Sequence, residues 1–581
     1  MPQEQSLKEV LQAASGDLLQ AIHATARGAR DRFDDLARDL AALHNEGTVD
    51  AVAAFAGLKN SAQQNHEFFL TRHVFEKALP QLQAPVERVM GCVLALCREA
   101  GRDLAAGTIL NAFTAFCVQD PPRADEAMRL ILADPAGLAE MIAAVAVAQS
   151  TVAEIYDPAP VLDLACHSVV EVRQHAVFAI GRIRVPATST LPQVMLAALE
   201  EAQTRETNDH VLAAMIDASL ACLIRDPALQ TRAVMLIDAA LGKGQGASLH
   251  AAAGLLWLRG KEIPSSLRRA LLPHLLRVEP QHTGTLDQLD HGLAMMLTPE
   301  NPTDGLQFLE TLLVTHDGRL LVESLRSTIS EIQQSPALLA TVITRWFLSG
   351  RKVLCEAIPQ IVQAHRRVDL PIDIDEREIP RMDFVHLVFI ARKAIGYLFM
   401  AHVAAASIVV TLMHHAPDEE TLDALAALLI DPLLLNYPGS TREYLERRSA
   451  RTSEPVRHAI DKALAAIAGH LGELAQIPVL NALQPGPSQR ETHRRQMAES
   501  MATAMKAAER DSVFLNLFSR STLLYGHKSI SYIHTGESEP RRIELPLTSH
   551  SVSMEFPRME ILDPYGLDFT LRVFRVERLD P

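Results

Sequence analysis

The densest mixture of basic, aromatic and imidazole side chains in this chain falls near its end: Arg520, Tyr525, His527, Lys528, Tyr532, His534, Arg541, Arg542 and His550. Guanidinium and ammonium groups donate charge-assisted hydrogen bonds to phosphates and carboxylates, and phenol rings add flat apolar faces. Brought together, Arg520, Tyr525, His527, Lys528, Tyr532, Arg541 and Arg542 could hold an anionic ligand or a partner peptide. Spread over alternating strands, the same residues are an ordinary solvated face, and that is the expectation here, although no other stretch is as promising for specificity.

Other constellations are weaker. Asp287 and His291 stand at i and i+4, with Asp290 between them and His282 upstream, a spacing that places ligands on one helical face. No zincin-type glutamate accompanies them, and a capped helix start explains them as well. Asp373, Asp375 and Glu376 are oxygen donors of the kind hard cations take, but without a further ligand a solvated loop is expected. His414 and His415 close an apolar helix, where imidazolium suits the negative end of the dipole. The run Gly242-Lys243-Gly244-Gln245-Gly246 follows a helix rather than a strand and lacks the Lys-Ser/Thr ending of a phosphate loop, so it reads as an inter-helix turn. The chain has no G-x-S-x-G elbow and no G-x-G-x-x-G. No catalytic residue, cofactor or metal site is assigned.

These residues need a framework, and the composition indicates which. Hydrophobic residues make up 48% of the 581 and charged residues 22%, a folded rather than disordered balance. Aromatics are only 5%, so small and unbranched apolar residues favour closely packed helices over sheets. The length exceeds one compact core of about 100–200 residues, leaving several domains or a repeat array. A net charge of −15 disfavours a nucleic-acid partner overall, with Arg490 to Arg495 the only short basic cluster. The six cysteines sit in apolar helical stretches without C-x-x-C spacing, the pattern of buried reduced thiols in a cytoplasmic protein. The first residues lack the basic and apolar regions of a secretory signal.

From Asp157 a repeat becomes legible. Asp157 can cap a helix that Pro158 opens, and Val161, Leu162, Leu164 and Ala165 form a short apolar stripe. After a polar turn, Val172, Ala176, Ile180 and Ile183 recur at helical spacing. The same face returns at Val211, Met215 and Ser219, and again at Leu249, Ala253 and Trp257, a period of 38–39 residues. Two short helices cannot bury both stripes alone and must stack on similar neighbours. For Arg173, His167 and His175 the sequence identifies no partner.

Glu171-Val172-Arg173-x-x-Ala176-x-x-x-Ile180-Gly181-x-Ile183 resembles the second helix of a HEAT repeat. A looser match begins at Glu454-Pro455-Val456-Arg457, where Arg457 and Ala459 are two apart rather than three. The resemblance to the HEAT/armadillo superfamily covers about half the chain, residues 157 to 470. It implies a mainly α, α-α superhelical solenoid.

The expected organisation is a helical cap over 1–155, HEAT-like repeats over 156–365, an acidic Pro-containing connector over 366–382, further helical repeats over 383–484, a linker and helix over 485–510, and a small β-rich module over 511–581. The connector holds Pro371 and Pro380 within an acid-rich alternation that excludes a continuous helix. Ala394 to Met413 carries no formal charge over a length that could span a bilayer, with Arg392, Lys393, His414 and His415 at its ends. Its alanines, Gly396, Ser407 and Thr411 point instead to a buried helix, so a membrane partner is not expected. In the last segment Ser529 to Ile533, Val552 to Phe556 and Leu567 to Val573 alternate polar and apolar residues, as half-buried strands do. Asp563-Pro564-Tyr565-Gly566 reads as a turn. The functional expectation is a non-enzymatic scaffold for an unidentified protein partner. A HEAT-like nucleic-acid-binding or repair protein, and an enzyme with its site at the junction of solenoid and C-terminal module, are the alternatives.

Overall fold

The computed structural model describes residues 17–28, 33–60, 65–101, 103–186, 189–298, 302–364, 371–478, 485–511, 528–533, 541–546 and 555–579. They are predominantly helical and form two compact units, one ending at Leu338 and the other beginning at Leu339. Each is repeat-like and compatible with a solenoid.

In the first unit two layers of helices alternate along the chain. Helices Val170–Arg182, Asp209–Arg225, Gly246–Leu258 and Thr283–Met296 pack one on the next. Their starts lie 39, 37 and 37 residues apart. Helices Leu191–Arg205, Gln230–Lys243 and Ser265–Leu275 form the second layer. Helix Asp209–Arg225 shows why this sequence takes the arrangement. Asn208 accepts hydrogen bonds from the amides of His210 and Val211, an acid opens the first turn, and Arg225 closes the last. Val211, Leu212, Met215, Ile216, Leu220 and Leu223 are buried, so the apolar surface wraps most of the cylinder, as an inner-layer helix requires. Small residues let neighbouring backbones close in. A Cβ on Gly292 would lie 2.8 Å from the Leu256 Cβ.

Polar side chains repeat with the same period. Asp209 accepts from the amides of Gln245 and Ala247 at 2.6 Å each, and from the Ser248 hydroxyl at 2.6 Å. Burial opposes its ionisation, but these donors outweigh it and hold the carboxyl below its usual range. Asp290, 5% exposed, accepts from the amides of Ser327 and Thr328 at 2.7 and 2.8 Å. Each carboxylate thereby caps the first turn of the inner-layer helix one repeat ahead. Arg173 pairs with Glu206 at 2.7 Å and donates to the carbonyls of His167 and Ser168, while His167 Nδ1 accepts from the Val169 amide. Arg173 and His167 are therefore bonded into the rung, while burial lowers the pKa of His175.

In the second unit the apolar stretch is two helices, Phe384–Leu398 and His402–Met413, joined by a 3₁₀ turn and packed on each other. Phe384–Met413 is long and apolar enough by composition to cross a membrane, but 78% of its most apolar window is buried within the chain. Lys393 does not mark an interface, being 0% exposed. The described part of the connector, with a 3₁₀ turn at Glu376–Glu378, is tied to helices His402–Met413 and Pro336–Ser349: Ile372 exchanges hydrogen bonds with the Ser407 hydroxyl, and the Asp375 amide donates to Thr344. Asp375 accepts from Thr341 and, through both oxygens, from Arg377. The Arg377 bonds hold its carboxyl down at about 2.

The expected β-rich C-terminal module is not supported among the described residues of 511–581. Leu567 to Val573 lies in helix Pro564–Val576, with Asp563 accepting from the Gly566 amide as its cap and Leu567 and Leu571 buried one turn apart. The alternation Leu567, Phe569, Leu571, Val573 also contains i, i+4 pairs, so a short apolar run satisfies both periods. The Asp563–Gly566 sequence is a helix start rather than a turn between strands. Lys528–Ile533 and Arg541–Pro546 pair as an antiparallel ribbon of two strands, and Val552 to Met554 lie outside the described residues.

Two stability tests follow from the rungs. Asp209→Ala and Asp290→Ala are each expected to cost about 1–3 kcal/mol in urea unfolding, because each leaves amides of the next helix without an acceptor. Replacing the exposed Glu262 should be close to neutral. Asp375→Asn is expected to cost about 1–2 kcal/mol, reduced from the full shift because Arg377 is exposed. Because the folded-state value lies below the unfolded one, the deficit of Asp375→Asn should be complete above pH ~5 and vanish as pH falls to about 2, read as the difference in denaturation midpoints.

Candidate functional site

The side chains with chemistry to offer gather where residues 555–579 lie against the second unit. Two anchors hold this segment. Glu555 accepts from the amides of Gly439 and Ser440 at 2.7 and 2.9 Å and from the Ser440 hydroxyl at 2.7 Å. It caps helix Ser440–Ser449 as Asp209 caps its neighbour. Asn436, 1% exposed, receives the amides of Met559 and Arg558 on its side-chain and main-chain oxygens. At the far end, Lys393 Nζ donates to the Arg575 carbonyl at 2.6 Å and Arg575 Nε donates to the Gly396 carbonyl at 2.6 Å. The lysine sits at the negative end of helix Pro564–Val576, which offsets part of its desolvation; burial still lowers its pKa. Arg392 pairs with Glu577 at 2.8 Å. Gly396 makes this approach possible, since a Cβ there would lie 3.1 Å from the Phe574 Cβ.

This docking assembles a serine, a histidine and a glutamate. Ser440 Oγ lies 2.6 Å from His402 Nε2 and 2.7 Å from Glu555 Oε2. The order is unlike that of an acyl-transfer triad, where histidine stands between nucleophile and carboxylate. Here serine is in the middle, its proton directed at Glu555, while His402 stacks on Tyr437 with centroids 3.9 Å apart. Burial opposes ionisation of Glu555, but Ser440 and the two amides keep its carboxyl below the usual range. The geometry suits a fastening of the C-terminal segment rather than activation of a nucleophile. The three residues are 38 and 115 positions apart in the chain, so no local motif announces them.

The docked helix Pro564–Val576 buries one face and leaves the other bare. Tyr565, Phe569 and Val576 are 87%, 69% and 73% exposed, and Val573 and the preceding Ile561 continue the row. From Tyr565 through Phe569 and Val573 to Val576 the spacing of four, four and three is that of one helical face.

The residues expected to grip a ligand are divided. Arg520, Tyr525 and His527, with His534 and His550, lie outside the described residues. Lys528 and Tyr532 stand on the first strand, and Arg541 and Arg542 on the second, with Tyr532 opposite Arg542 in register. Arg542 pairs with Glu544. The candidate metal ligands do not converge: Asp290 caps the next repeat, and His291 bonds Ser327 and stacks on Trp257. His414 bonds Thr452, and His415 faces Glu376 at 3.6 Å. Lys243 donates to the Gln203 carbonyl, tying the glycine-rich turn to the preceding repeat. Of the cysteines, Cys92, Cys117, Cys222 and Cys355 are buried, while Cys97 is half-buried and Cys166 exposed. Burial pushes Cys92, Cys117 and Cys355 up to about 12.

Gly396→Val should force the C-terminal helix off its seat, at about 1–3 kcal/mol of overpacking. Amide exchange in residues 566–576 is expected to accelerate about tenfold or more, while helix Asp209–Arg225 keeps its protection. Unchanged exchange at 566–576 would show that the close approach is not what holds the segment.

No family model and no curated protein matches this chain.

Proposed function

We propose that this chain is a non-enzymatic, cytoplasmic interaction scaffold built from HEAT-like helical repeats. Its partner surface is the bare face of helix Pro564–Val576. The observation that supports this most directly is the row Tyr565, Phe569, Val573 and Val576, large apolar side chains in solvent on a helix whose opposite face is already seated. A contiguous exposed apolar row is a feature of protein-binding surfaces, and tyrosine and phenylalanine are favoured at their centres. The i, i+4, i+8 spacing suits a partner helix laid along it. The repeat period near 37–39 residues and the Arg173–Glu206 rung support the HEAT-like assignment. An enzyme at the C-terminal junction has less in its favour, because the Ser–His–Glu cluster there is half-buried and ordered as a cap.

The purified full chain should retain one protein from its native lysate at constant stoichiometry. Tyr565→Asp with Phe569→Asp should weaken that complex about 30-fold or more, with an unchanged melting temperature, since buried aromatic anchors at interfaces are worth about 2 kcal/mol or more. Retention of the same protein by the double variant would overturn the assignment of the surface. Absence of any stoichiometric protein would overturn the scaffold reading.

A further inference from the structure

In a chain with 70 acidic and 55 basic residues, one cleft of the second unit has the opposite sign. It encloses about 670 Å³ and is lined by Arg351, Lys352, Arg572, Arg575 and Arg578, with Glu356 the single carboxylate among its lining residues. Three of the cations are engaged. Lys352 lies 3.7 Å from Glu356, Arg572 pairs with Asp568 at 2.9 Å, and Arg575 donates its Nε to the Gly396 carbonyl. Arg351 and Arg578 are exposed and have no ion-pair partner among the described residues. Like charges repel one another, and Glu356 alone among the lining residues offsets five cations.

The backbone adds to the same sign. Gly350 takes a positive φ of 59° and turns the chain, so that helix Lys352–Ala364 begins at the cleft with Gly350, Arg351 and Lys352 all on its wall. A helix start offers amide donors and the positive end of the dipole. Tyr397 forms another part of the wall; burial pushes its hydroxyl up to about 12, so it stays a neutral donor. Every lining group with a polar tip, Glu356 and the hydroxyl of Ser349 apart, is a donor or a cation.

We propose that this cleft binds a small organic molecule carrying two or more phosphates. The volume lies within the range of small-molecule sites, about 300–1,000 Å³, and exceeds what a single phosphate fills. Arginine is the side chain suited to phosphate, because its planar fork donates two parallel hydrogen bonds. The two guanidiniums without acid partners come from different segments, Arg351 from just before helix Lys352–Ala364 and Arg578 from just beyond helix Pro564–Val576. One phosphate chain between them would neutralise both, and would tie the C-terminal segment to the rest of the unit. The cleft shares Val576 with the apolar row proposed for a protein partner, but neither Tyr565 nor Phe569 lines it.

The test is calorimetric titration of the full chain with inorganic tripolyphosphate, inorganic monophosphate serving as the comparison. Tripolyphosphate is expected to bind one per chain, at least tenfold more tightly than monophosphate, and less tightly as salt is raised. Arg351→Glu with Arg578→Glu should weaken binding by tenfold or more, with unchanged circular dichroism and melting temperature in the absence of ligand. Bound tripolyphosphate should also slow amide exchange in residues 566–576 of the parent chain and not of the double variant. A control reversal, Arg448→Glu with Arg451→Glu, alters a separate cleft of about 420 Å³ and should leave the affinity within twofold. No binding, binding indifferent to Arg351 and Arg578, or an equal loss in the control would each overturn the proposal, the last by showing diffuse attraction to basic surface.

Discussion

A carboxylate that reaches forward one repeat to the first amides of the next inner-layer helix is the interaction on which this fold depends. Apolar burial alone would let helices of 13–17 residues slide along one another, since a Leu- and Ala-rich surface packs acceptably in more than one register. Asp209 and Asp290 remove that freedom. Each accepts two or more main-chain amides, and those amides have no alternative acceptor within their own helix. The same physics recurs with other donors and acceptors in the second unit: Ser407 exchanges bonds with Ile372, and Asp375 gathers Thr341 and Arg377. Except for Asp375 with its near neighbour Arg377, these pairs lie 34–39 residues apart, one repeat. The polar period and the apolar period therefore agree, and that agreement across levels is what specifies a single stacking.

The C-terminal segment uses the same device with a long-range partner. Glu555 occupies, at the start of helix Ser440–Ser449, the role that a residue about one repeat away plays elsewhere. Lys393 has no solvent exposure and would be a severe burden in an ordinary core. The carbonyl at the end of helix Pro564–Val576 gives it an acceptor and a favourable dipole, so the lysine makes the docking of that helix obligatory rather than optional. Removing the segment would deprive this ammonium group of its Arg575 acceptor. The seat is therefore specified from both sides, by a glycine that admits the helix and a cation that requires it.

What could be read from sequence divides along the same line between local and distant interactions. The helix at Val170–Arg182, its apolar face and the spacing of its successors were legible because they are short-range periodicities. The ladder of rungs was not, since Arg173 and Glu206, or Asp209 and Ser248, are a repeat apart and polar residues on helix ends look alike whether bonded or solvated. The reading of Leu567 to Val573 as a strand failed for an instructive reason. Four apolar residues at spacing two also contain two pairs at spacing four, and the deciding term, the seat on helix Phe384–Leu398, lies about 180 residues away. Lys393 was read as a flank of an apolar run; only its contact with Arg575 reveals it as a core residue. Arg351 and Arg578 are likewise unremarkable in sequence, each a single arginine, and become a cleft only when the C-terminal helix is seated.

Charge segregation carries the remaining step. A net charge of −15 raises the cost of bringing a nucleic acid near most of this surface, and a duplex would need a row of cations spaced along its backbone. Five cations of the second unit instead line a cleft of about 670 Å³, too small for a duplex and shaped by side chains from three separate stretches of chain. Within an acidic molecule, such a cleft also selects its ligand kinetically. The outer surface repels anions generally, so only a small, compact and highly charged one gains more from five nearby cations than it loses on approach. A long polyanion would satisfy the cleft with one segment while holding the rest against like charge. The acidity that opposes a long polyanion at the surface thus favours, for the proposed cleft, a small molecule with its phosphates close together.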